Sequence, residues 1–170
     1  MFTKTDIEKY FFAEKQESLV FLVIGVVAVL IAATFYFLLK NNLYKGAAIP
    51  LLIIGIIQVI VGYTVYGRTD GQRIDNVYAF DMNPGKLKNE ELPRMEKVSR
   101  DFVIYRWLEI AFIAAGMVLI FYFRRNIERS FWLGFGLALA LQAAIMLVAD
   151  HFAEKRATVY TTQLRNFEKK

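Results

Sequence analysis

Among its 170 residues the chain has no cysteine, one histidine and three prolines. Without cysteine it forms no disulfide, no thiolate metal site and no thiol redox couple. His151 has no second histidine at ligand spacing, and neither a nucleophile elbow nor a phosphate-cradling glycine loop occurs, so hydrolase, kinase, haem and metalloenzyme chemistry find no residues. The expectation is a protein that is not an enzyme and takes no cofactor and no metal. N-glycosylation sequons and lipidation motifs are absent too.

Charge is missing from long stretches. Residues 19–39, 47–67 and 131–149 carry none, and residues 102–123 hold only Arg106 and Glu109. At about 1.5 Å per residue such runs match a hydrocarbon core of about 30 Å, so each is predicted to span a membrane. A hydrophobic content of 56% fits a chain whose solvent is lipid. Unbroken apolar runs without a period of two exclude a barrel and predict an all-α integral membrane four-helix bundle. The first 18 residues hold mixed charges and no small-residue cleavage site, which predicts a retained span rather than a cleaved signal.

The net charge of +5 does not point to nucleic acid, because the basic residues flank the spans or mix with acids instead of forming one stripe. With four spans, the first segment, the long loop and the tail share a side and hold sixteen Lys and Arg, against five in the two short turns. The bias predicts both termini in the cytoplasm. The whole chain is expected to be one membrane domain, with a cytoplasmic helical hairpin over 68–101 and an amphipathic tail helix over 150–168.

Local signals fill in this plan. Thr3 or Thr5 caps a lead-in helix with Ile7, Tyr10, Phe11 and Phe12 on an apolar side, expected to lie at the interface. Residues 40–46 (KNNLYKG) form a tight turn in which Asn and Gly supply left-handed backbone. In the loop, Ile74, Val77, Tyr78 and Phe80 mark a weak helical face, and Pro93 opens the third helix. The tail carries Phe152, Tyr160, Leu164 and Phe167 as an intermittent stripe, a candidate docking helix.

Small residues recur at spacings of three and four: Gly25, Ala28 and Ala32 in the first span, Gly55 and Gly62 in the second, Gly116 in the third, Gly134 and Ala138 in the fourth. Such stripes let neighbouring backbones approach and are expected to face other helices. LVIGVVAVLIAATFY from Leu22 and LIIGIIQVIVGYTVY from Leu52 also align without gaps, either as an inverted duplication or as coincidence between apolar segments.

Glu109 is the one acid set well inside an apolar run. Arg106, a turn away toward the aqueous end, is expected to pair with it, and Gln58, Tyr63 and Gln142 are expected to complete an intramembrane polar cluster. That cluster either fixes helix register by hydrogen bonds or relays a proton or ion. Asp150 and His151 close the fourth span, as solvated interfacial groups or as a proton shuttle.

The segments LYKGAAIPLLIIG and VGYTVYGRTD resemble stretches of small four-span inner-membrane proteins of bacteria, a likeness that carries no active residues. It implies a bacterial inner-membrane location. In size and span count the chain is also similar to immunity proteins that guard that membrane against pore-forming toxins. The expected function is binding of a membrane partner, as an immunity-type inhibitor or an accessory subunit. The alternative is a small oligomeric channel or transporter using Glu109 with Gln58 and Gln142. The bilayer and either a membrane protein or further copies of the chain are the expected partners, and nucleic acid is not.

Overall fold

The computed structural model describes residues 2–167, and these contain helices and turns but no strand. Four helices, α1 (Lys4–Leu39), α2 (Asn42–Met82), α3 (Pro84–Phe123) and α4 (Ser130–Arg165), are each long and apolar enough to cross a membrane. Glu168, the last residue of the expected tail helix, lies outside the described residues. With 36 to 41 residues apiece, the helices are about 54–62 Å long, nearly twice a hydrocarbon core of about 30 Å. Their apolar runs occupy the end of α1 and α3 and the start of α2 and α4. The surplus halves therefore all project at one end.

The boundaries have local causes. Thr3 caps α1: its N–H and hydroxyl both donate to the Asp6 carboxylate, at 2.8 and 2.7 Å. A π turn over Phe35–Leu39 ends the helix, and Lys40 takes the left-handed conformation at φ 50°. This corrects the expectation that Asn or Gly would do so. Asn41 is used instead as the cap of α2, its side chain accepting from the Leu43 N–H at 3.0 Å, and Gly46 lies inside the helix. The chain turns again at Asn83, and Pro84 opens α3 at the position where a missing N–H is harmless. Here too the expectation shifts, since α3 starts well before Pro93. A π turn over Leu87–Glu91 precedes that proline and loosens the helical ladder where its ring would crowd it.

α1 packs antiparallel to α2, α3 antiparallel to α4, and α2 lies along α4 to join the two hairpins. The contacts differ by level. In the apolar halves the buried residues are small: Ala28, Ala32, Ala47, Ala48 and Ala138 form most of one cluster. Lipid supplies no hydrophobic drive for helix association, so packing there depends on close backbone approach. A Cβ on Gly62 would stand 2.7 Å from the Leu22 nitrogen and 2.8 Å from the Ser18 carbonyl oxygen. Gly25 meets Gly55, its matched position in the internal alignment, and Gly116 meets Gly136. Gly134 of α4 sits against the Leu43 carbonyl of α2, and Gly46 of α2 against the Phe131 carbonyl of α4.

The projecting halves bury large side chains instead. Ile7, Phe11, Leu87, Met95, Tyr160 and Leu164 form a second core, with Phe2 and Phe167 at its edge. Tyr10 stacks on Tyr160 at 4.2 Å between centroids, and Phe80 on Phe167 at 5.2 Å. Two expectations are corrected by this core. The lead-in segment does not lie on a membrane surface: it is the continuous start of α1, and Ile7, Tyr10 and Phe11 are buried in protein. The tail stripe is not free for docking, because Tyr160, Leu164 and Phe167 are already covered. Phe12 and Phe152 face outward. The expected face of α2 is met in part: Val77 and Phe80 pack against this core, but Ile74 and Tyr78 are exposed, and Thr69, Asn76 and Ala79 are buried instead.

Gly62→Leu should lower the thermal midpoint in detergent far more than Val61→Leu, whose site is exposed. Forcing a side chain into backbone costs at least about 1–3 kcal/mol. Equal midpoints for the two variants would show that Gly62 does not face Leu22.

Candidate functional site

The polar residues expected to form one intramembrane cluster occupy two levels. At the deeper one, Gln142 Nε2 of α4 donates to Gln58 Oε1 of α2 at 3.4 Å, with both side chains buried. Gly25 makes room for it, since a Cβ there would press on the Cβ of Gln58 at 2.8 Å. The Gln58 amide nitrogen has no partner. Tyr63 does not join this pair: it is 71% exposed, pointing away from the other helices. Its position follows from α2 turning Gln58, Gly62 and Thr69 inward.

The second level lies toward the projecting end and is centred on Glu109, 3% exposed on α3. Arg106 is not its partner. The Arg106 guanidinium reaches across to α4, where Nη1 donates to both carboxylate oxygens of Glu154 at 3.1 Å. Glu109 instead meets the carboxyl of Asp150. The register explains both pairings. Gly116 packs at Ala140 and Gly136 at Ile120, and continuing this antiparallel seam puts position 109 opposite Leu147 and position 106 opposite Asp150. Helical side chains lean toward their own N-terminus, so Glu109 leans outward by about a turn while Asp150 leans inward, and the two carboxyls converge. The same lean brings Glu154 to Arg106.

Asp150 was visible in the sequence but was read beside its chain neighbour His151. In the structure His151 is exposed and edge-on to Phe152 at 5.8 Å, away from the buried face. Counting acids in each run could not find the pair, because Asp150 stands just past the fourth run. A lean argument on antiparallel helices would have found it.

Toward the projecting end the ion pairs follow one another: Arg156 with Glu17 at 2.5 Å, Lys15 with Asp70, and Arg94 with Glu91 through two bonds of 2.7 Å. Arg94 also lies over the Phe11 ring. Tyr10 donates to Glu14 at 3.4 Å. Burial pushes the Glu14 carboxyl above its usual range, opposed by Arg94, Arg68 and Arg156, and burial likewise pushes the Tyr10 and Tyr160 phenols upward. These groups order the second core. Among the described residues no three His, Asp or Glu side chains are placed to hold a metal ion. Two open clefts of about 350–360 Å³ lie on the projecting half, one at Thr5, Lys9 and Arg73, the other at Arg100, Thr161 and Arg165, and neither is lined by Glu109 or Gln58.

Removing one glutamine of the deep pair strands the other, so Gln142→Leu alone should destabilise the protein, whereas Gln58→Leu with Gln142→Leu should recover part of the loss. A coupling energy of about 0.5–1.5 kcal/mol is expected from a double-mutant cycle of chemical unfolding in detergent. Additive losses would mean that the two amides do not interact. No family model, curated protein or solved structure matches the chain.

Proposed function

We propose that the chain is a non-enzymatic multi-pass protein of a bacterial inner membrane that acts by binding another membrane protein, as an immunity-type inhibitor of a pore-forming toxin or as an accessory subunit. The observation that carries this reading is the uneven cover of the four apolar helices. The most apolar window of α3 is 11% buried, against 39% for α2. Along its apolar run α3 packs on α4 alone, and Trp107, Phe112, Val118 and Tyr122 line an uncovered surface. The small-residue stripes, by contrast, are consumed inside the molecule. The α3 surface is thus the place where a further transmembrane helix adds contact without disturbing the fold.

The channel reading has less support. Gln58 and Gln142 are bonded to each other, and Tyr63 faces out, so these residues do not line one path with Glu109. For orientation, among the described residues the projecting side carries fourteen Lys and Arg against five in the two short turns, and it is assigned to the cytoplasm.

A photo-crosslinking residue at Val118 of α3 should capture a protein in intact cells, while one at Leu30 of α1 captures lipid. A self-adduct at position 118 would identify the partner as a second copy. Lipid alone at both sites would overturn the proposal. Orientation is tested separately with single cysteines in this cysteine-free chain. Lys88→Cys should react with an impermeant thiol reagent only after the membrane is opened to its cytoplasmic side, and Asn42→Cys and Asn126→Cys should react without that step. The reverse pattern would invert the topology.

A further inference from the structure

We propose that Glu109 and Asp150 form a proton-binding site, one proton held between two carboxyls, and that its occupancy keeps α3 seated on α4. The first ground is hydrogen-bond chemistry. Neither oxygen of Glu109 has a donor within reach when both acids are ionised, since a carboxylate only accepts. The facing Asp150 carboxyl supplies the missing donor once either group carries a proton, and no other side chain around Glu109 does so.

The second ground is the charge of the surrounding layer. α3 contributes Glu109 and Arg106, α4 contributes Asp150, Glu154 and Arg156, and α1 contributes Glu17. Both arginines are spent, Arg106 on Glu154 and Arg156 on Glu17. α2 runs beside α4 from the Gln58–Gln142 pair, passes the layer about eight residues on at Tyr66, and its nearest cation, Arg68, acts on Glu14 of α1 and not on either acid. Two carboxyls are therefore left facing each other without a counter-charge. A proton is the cation that fits, because the layer lacks the third ligand a metal ion would need.

The third ground is mechanical. Along its apolar run α3 has α4 as its one neighbouring helix, so the Glu109–Asp150 contact lies on the seam that holds this half of α3 in place. With the proton, the contact is a hydrogen bond between neutral and charged carboxyl. Without it, two like charges face each other across the seam in a site shielded from water. Asp150 stands at the projecting end of its apolar run, so the proton exchanges with water on that side.

Infrared spectroscopy of the reconstituted protein, together with spin-label distances between Val118→Cys on α3 and Leu141→Cys on α4, tests the proposal. At neutral pH the wild type should show a buried protonated-carboxyl band that is lost in both Glu109→Gln and Asp150→Asn. Raising the pH should remove the band and broaden or lengthen the α3–α4 distance in the wild type. In Glu109→Gln the amide donates to Asp150 in place of the proton, and the distance should stay short at every pH. Should Glu109→Gln fail to insert, Asp150→Asn carries the same comparison. A wild type with no such band, a band surviving in both variants, or a distance that ignores pH while the band titrates would each overturn the proposal.

Discussion

The constraint on which this fold depends is that each helix is nearly twice as long as a membrane is thick, so each must associate with its neighbours in two solvents. In lipid, apolar side chains gain nothing by meeting one another, and helices approach through Gly and Ala. In water the same helices gain about 25 cal/mol per Å² of apolar surface buried, and aromatic side chains fill the core. The change of packing along each helix follows from this. Gly25, Gly55, Gly62 and Gly116 lie in the apolar halves, and Phe11, Met95 and Tyr160 in the projecting ones.

Between the two regimes lies a belt of paired charges. Arg156 with Glu17, Lys15 with Asp70 and Arg106 with Glu154 each join different helices at the end of the apolar runs. At this depth ions remain partly hydrated while still fixing helix rotation. Glu109 lies just beyond the belt, where no cation is left for it. Its carboxyl partner Asp150 therefore makes the α3–α4 seam unlike the α1–α2 seam, which runs past Gly62 with backbone contacts.

Cover around the four helices is also uneven. In the apolar halves α2 is enclosed by α1 and α4, whereas α3 has only α4. A helix held along one seam is the one most easily displaced or joined by another, and here that seam contains the acid pair. Partner binding at α3 and proton occupancy at Glu109 would thus act on the same element from opposite sides.

The four long apolar helices and the inward role of Gly62 could be read from the amino-acid sequence, because run length and residue size are local properties. Which residues meet could not. Arg106 and Glu109 are neighbours on one helix, yet lean and antiparallel register send them to Glu154 and Asp150 of another. Tyr63 shares a span with Gln58 but not a face, and on α2 Ile74 and Tyr78 are exposed where Thr69 and Ala79 are buried. The amphipathic ends, which alone resemble free docking surfaces, cover each other. Rotation of a helix about its own axis is decided by what stands opposite, and only the assembled helices supply that.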